Sequence, residues 1–198
     1  MPKHRPLVVV IAGPNGAGKS TTAPSLLRDA LQVSEFVNAD AIAGGLSAFR
    51  PDSVAIPAGR AMLVRMRHLA EARMNFAFET TLASRSFAPW LARLKRRGYH
   101  VHVLFLWLES PDLAVNRVAA RVRLGGHDVP EATVRRRYER GLRNLFQLYV
   151  PLADSWQMFD NSRAGRPRLV ASGRGERAEQ VGNASLWRRI SEVYREQH

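Results

Sequence analysis

"LVVVIAGPNGAGKSTT", Leu7 to Thr22, joins an apolar run to a glycine-rich turn and then to a stretch of helix-forming character. The unbroken β-branched run ahead of Gly13 predicts a strand buried on both faces. The turn matches G-x-x-x-x-G-K-[ST] at every fixed position, with Gly13, Gly18, Lys19 and Ser20 in the required places. Glycines there let consecutive main-chain N–H groups point inward, and the start of the following helix adds partial positive charge. The segment therefore reads as a phosphate cradle made of Gly13, Pro14, Asn15, Gly16, Ala17, Gly18, Lys19, Ser20 and Thr21. Lys19 is placed to reach β and γ phosphates, Ser20 to ligate Mg²⁺, and Thr21 to bond a neighbouring phosphate.

Outward from the cradle, apolar runs alternate with helical stretches. Ser20–Leu31 predicts a helix, "EFVNAD" (35–40) a second strand, and Ala58–Met74 a long amphipathic helix with Met62, Met66, Leu69 and Arg73 at helical spacing. "NFAFET" (75–80) predicts a third strand, and Ser86–Arg97 a helix stopped by Gly98. "YHVHVLFLWLE" (99–109) is the most apolar strand, followed by a helix with Ser110 as N-cap and Pro111 in its first turn. "GGHDVP" (125–130) interrupts the helical pattern, which resumes over 131–149. Two late strands, "WQMFDNS" and "PRLVASG", and a helix over Leu186–Glu196 complete the pattern, with a loop and hairpin between 162 and 185. Doubly buried strands separated by helices define an α/β fold, a mostly parallel central sheet with helices on both faces. The expected organisation is one domain over 1–198, with a helical lid at about 117–140 and a strand, hairpin and helix at about 166–198.

Composition narrows the class. With 45% apolar and 24% charged residues the chain is ordinary for a globular protein, and no segment reaches the roughly 20 apolar residues that span a bilayer. The basic N-terminus precedes an apolar run too short for a signal peptide, so a cytoplasmic location is expected. The absence of Cys excludes a disulfide framework and a thiolate zinc site. The formal net charge is +13, and 27 of the 30 basic residues are Arg. Nucleic-acid affinity is one reading of that charge; an Arg-biased composition with a site for phosphorylated ligands is the other. Only three lysines occur, and one is Lys19. In a chain that uses Arg almost everywhere, that lysine is chemically required.

Other motifs decide what a bound nucleotide does. "RLGGHD" is only a faint echo of an ABC-type signature, no apolar strand ends in Asp-Glu, and an Asn-Lys-x-Asp guanine reader is missing. What remains is a P-loop kinase-like three-layer sandwich carrying a phosphoryl group to a bound hydroxyl. Such chemistry needs a carboxylate near the acceptor, a second group to orient it, and cations over the phosphates. Asp40, at the end of "VNAD", orients or deprotonates the acceptor; Glu79, at the end of the third strand, holds Mg²⁺ through water or binds acceptor hydroxyls. Arg117 and Arg121 lie four apart on one helix face, and Arg137 shares a side with Val134 and Tyr138 beyond the Gly-Gly break. They are the candidates for a lid that closes positive charge over a triphosphate and excludes water.

With "GPNGAGKSTT", "VNADAIA", "FETTLASRS", "GYHVHVLFLWLESPDLAVNRVAARVRLGGHDVP" and "WQMFDNS" in hand, the chain resembles the zeta toxin family of kinases, particularly its short stand-alone members. That resemblance implies ATP- and Mg²⁺-dependent phosphorylation of a sugar hydroxyl, in the toxin members that of UDP-N-acetylglucosamine. By position it implies Lys19 and Ser20 on nucleotide and metal, Asp40 as base, Glu79 and Thr81 on the acceptor, and Arg121 and Arg137 clamping phosphates. A toxin role would also imply a small antitoxin partner over the nucleotide site. Two features depart from the family: Thr80 stands where toxin members carry Gly, and "GGHDVP" has no counterpart in their lid. Two other classes stay open: a polynucleotide kinase or nucleic-acid-associated ATPase, suggested by the +13 charge, and a regulatory ATP-binding module.

Overall fold

The computed structural model describes residues 5–25, 27, 31–48 and 50–195. Its centre is β1 (Leu7–Ala12), paired in parallel with β3 (Phe76–Thr80) on one side and β4 (His100–Trp107) on the other. Beyond β3 lies β2 (Glu35–Val37), and beyond β4 lies β5 (Ser155–Asp160), both also parallel. β6 (Arg168–Arg174) and β7 (Arg177–Val181) continue antiparallel, giving a seven-stranded sheet of order β2-β3-β1-β4-β5-β6-β7. Val8–Ala12 and Val101–Trp107 are buried at every position, so both faces of the central strands are covered.

The cover comes from α1 (Lys19–Ser25), α2 (Ala39–Leu46), α3 (Ala55–Glu71), α4 (Phe87–Arg96), α5 (Pro111–Arg123), α6 (Glu131–Asn144), the single turn α7 (Val150–Leu152) and α8 (Ala184–Arg195). Trp90 of α4 packs on Phe76 and Phe78 of β3, and Tyr99, just ahead of β4, packs edge-on to Phe76, all at ring distances of 6.0–6.1 Å. Met62, Met66 and Leu69 of α3 are core residues, as their spacing implies. Among the described residues no helix is long and apolar enough to cross a membrane.

Several boundaries differ from the sequence reading, each for a local reason. The helix expected over 20–31 is described as α1 over Lys19–Ser25; residues 26 and 28–30 of that expectation lie outside the described residues. β2 stops at Val37 because Asn38 caps α2: its side chain accepts from the Asp40 and Ala41 amides at 2.7 and 3.2 Å. Asp40 therefore sits in the first turn of a helix and not at a strand end. α3 ends at Glu71, ahead of the expected Met74, because Arg73 turns left-handed (φ 54°) and the Met74 amide bonds back to Leu69 O at 3.0 Å. The helix expected over 131–149 is α6 up to Asn144, then a π-helical turn over Leu145–Tyr149.

Ser110 caps α5 as expected, its Oγ accepting from Leu113 N at 3.1 Å. The chain leaves β1 toward β2 at one edge, returns through β3, then crosses to β4 on the far side of β1. Ligands of open parallel sheets bind at the carboxyl ends of strands where this direction reverses. There the phosphate loop, Glu79 and the start of α2 converge.

Candidate active site

Three loop glycines have left-handed φ: Gly13 at 142°, Gly16 at 76° and Gly18 at 77°. Space demands them too. A side chain on Gly13 would collide with the Leu106 carbonyl, one on Gly16 would lie 2.9 Å from Ala114 O, and one on Gly18 2.8 Å from Asn161 Nδ2. The loop is thus held between β4, the start of α5 and the loop after β5, and only a glycine pattern fits.

Lys19, 7% exposed, folds back over the loop, its Nζ donating to Gly13 O and Pro14 O, both at 2.9 Å. Glu79 Oε1 is 3.7 Å from the same nitrogen. Burial pushes the Lys19 ammonium below its ordinary pKa; Glu79 and then Asp40 oppose that, while Arg121 and Arg137 add to it. Glu79 Oε2 accepts from Ser20 Oγ at 2.7 Å and from Asn38 Nδ2 at 2.7 Å. Asn38 Nδ2 also lies 3.3 Å from Ser20 Oγ.

These groups share one cavity of about 300 Å³, lined by Asn15, Gly16, Gly18, Lys19, Ser20, Thr21, Asp40, Glu79, Arg117 and Arg121. Most residues expected at the site are therefore brought together. Gly13, Pro14, Ala17, Thr81 and Arg137 are not in that lining. Thr81 lies just beyond β3, its carbonyl against Gly141 of α6, and Arg137 is half-buried on α6.

The arginine-bearing helices are anchored to the loops around the cavity. Arg117 donates to Asn161 O and Ser162 O, both at 2.8 Å, strapping α5 to the loop after β5. Val134 and Tyr138 of α6 are buried, and the Tyr138 hydroxyl donates to Leu108 O at 2.6 Å. Arg121 donates through Nη2 to His127 O at 2.7 Å, while its buried Nε has no hydrogen-bond partner among the described residues. Gly126 makes room for it: a Cβ there would sit 2.5 Å from Arg121 Cγ.

Two contributors had no clear signal in the sequence. Asn161 donates through Nδ2 to Ala17 O at 2.8 Å, across 144 residues, and braces the loop from behind. Asn38 had one clue, a cap-forming residue just ahead of the acid. The Ser20 hydroxyl and Glu79 carboxylate present two hard oxygen donors at one point, a set that suits Mg²⁺. Among the described residues, no group of three or more His, Asp or Glu could hold a metal ion.

A parallel β2-β3-β1-β4-β5 core with a phosphate loop after β1 and acids beside it is the architecture of the P-loop kinases. The chain belongs to the AAA domain family, whose model matches residues 8–141. An uncharacterized protein of Haemophilus influenzae (strain Rd) is 30% identical over 130 residues, covering 66% of this chain and 91% of the relative. A chain in the crystal structure of AvrRxo1-ORF1:-ORF2 with ATP is similar at TM-score 0.71 and 16% identity; the match covers 94% of this chain and 64% of that one. The PezAT chromosomal toxin–antitoxin system of Streptococcus pneumoniae supplies another, at TM-score 0.68 and 15% identity, covering 99% of this chain and 81% of that one. The two solved structures bear out the fold that the zeta toxin resemblance implies.

Proposed function

We propose that this chain is an ATP- and Mg²⁺-dependent kinase that phosphorylates a hydroxyl of a sugar nucleotide resembling UDP-N-acetylglucosamine. The observation that carries the reading is the shared cavity, where Lys19 and Ser20 of the phosphate loop meet Asp40 and Glu79. The loop amides and Lys19 hold the triphosphate. Ser20, with Glu79 behind it, holds Mg²⁺, which supplies charge neutralisation on the phosphates. Asp40 takes the proton of the acceptor hydroxyl; that oxygen bonds to the γ phosphorus as the bond to the β-phosphate oxygen breaks, leaving ADP. Arg121, with Arg137 from α6, stabilises charge on the transferring group. Glu79 and Thr81 border the acceptor.

An antitoxin partner belongs to the same proposal, supported by the zeta toxin resemblance and the fold shared with a chain of the PezAT system. The test incubates purified protein with γ-labelled ATP and Mg²⁺ against nucleotide sugars, nucleosides and oligonucleotides. Label on a nucleotide sugar supports the reading. Label on oligonucleotide 5′ ends would instead favour the polynucleotide kinase that the +13 charge suggests.

A further inference from the structure

Asn38 makes four contacts with one carboxamide. Its Oδ1 accepts from the amides of Asp40 and Ala41 at 2.7 and 3.2 Å; its Nδ2 donates to Glu79 Oε2 at 2.7 Å and to Ser20 Oγ at 3.3 Å. The orientation is fixed by chemistry, because main-chain N–H groups require an acceptor and a carboxylate requires a donor. The residue is 8% exposed, and these bonds are partly buried. One residue thereby joins the phosphate loop at Ser20, the end of β3 at Glu79 and the first turn of α2 that carries Asp40.

We infer that Asn38 is a positioning residue for phosphoryl transfer, setting Asp40 and the Glu79 carboxylate against the phosphate loop. This rests on the kinase reading above. A helix cap alone needs only Oδ1, and serine or aspartate would serve as well. The bridge needs Nδ2, which neither supplies. Rotating the carboxamide would break the cap and the bridge together, so α2 cannot shift without releasing Glu79. Nothing else on the side chain is available for a third task.

The two roles separate in three variants. Asn38→Ser keeps a capping oxygen but is too short for Glu79. Asn38→Asp keeps the cap and places a second acceptor against Glu79 Oε2. Asn38→Ala loses both. Both capping variants are expected to melt within a few degrees of wild type and keep hydrogen-exchange protection at the Asp40 and Ala41 amides. Their kcat should fall about 100-fold while KM for ATP changes less than about threefold, because misplacement by an ångström acts on transfer and not on the loop. Wild-type kcat in Asn38→Ser or in Asn38→Asp would reduce Asn38 to a helix cap and overturn the inference. The kinase reading fails separately, if the wild-type protein transfers no label. The cap then still has its own readout, since only Asn38→Ala should lose Asp40 and Ala41 protection.

Discussion

The Ser20 hydroxyl donates to Glu79 Oε2 at 2.7 Å, joining residues 59 apart in sequence. The bond sets a loop hydroxyl and a strand-end carboxylate side by side, two oxygen donors that would hold the proposed Mg²⁺. Glu79→Gln keeps the shape and removes the charge. It should lower kcat about 100-fold and raise the Mg²⁺ concentration needed for half-maximal rate. The melting temperature should not fall, since Lys19 keeps its two carbonyl acceptors. Initial rates against Mg²⁺ concentration check this.

Asn161 supports the loop from outside the cavity through Ala17 O, while its own carbonyl accepts from Arg117. Asn161→Ala removes one partly buried hydrogen bond from the turn, worth about 1 kcal/mol. We expect ATP affinity to weaken about five- to tenfold with kcat little changed. Calorimetric titration of ATP with the variant measures the first quantity, and saturating rates the second.

Gly126 is the only residue type that fits beside Arg121. A Cβ would approach Arg121 Cγ to 2.5 Å and Arg121 O to 3.0 Å. Gly126→Ala should displace the guanidinium and reduce kcat about tenfold, less than Arg121→Ala at about 100-fold or more. The double variant should be no worse than Arg121→Ala alone, because both act through one side chain. An additive double variant would mean that Gly126 serves something else.

His102 carries a stability prediction away from the site. Burial, and then the neighbouring His100, push its imidazole from 6.5 down to about 4. His100 is lowered in the same direction, chiefly by burial. A histidine kept neutral in the folded state takes up its proton more readily once unfolded. Its contribution is therefore intact above pH 6.5 and lost as pH falls from 6.5 toward 4. The loss at pH 4 is about 3 kcal/mol. Denaturant midpoints measured from pH 7 to 4.5 should fall less steeply in His102→Gln than in wild type. Equal slopes would contradict the assignment.

What the sequence reveals here follows from how local the physics is. The cradle is legible because its geometry is main-chain geometry, and left-handed φ at Gly16 and Gly18 leaves a pattern at fixed spacing. Ser110 and Gly98 are legible for the same reason, as caps acting within a few residues. Asp40 is legible as an acid close to the cradle, but its place in a helix is not. "EFVNAD" looks like one strand, and only the cap formed by the Asn38 side chain shows that the helix has already begun. Arg117 was legible as a cation near the site, but its anchor on Asn161 and Ser162 depends on a contact across 44 and 45 residues. Asn161 itself stands in "FDNS", a turn-forming stretch that carries no sign of Ala17. Such long-range single bonds leave no periodicity to read.

Single-turnover transfer from γ-labelled ATP to the nucleotide-sugar acceptor, comparing wild type with Asp40→Asn, tests the central claim most directly. Asp40 lines the cavity with Lys19, Ser20 and Glu79, so neutralising it should slow transfer about 1,000-fold and leave ATP affinity unchanged. Transfer at the wild-type rate in Asp40→Asn would contradict the account.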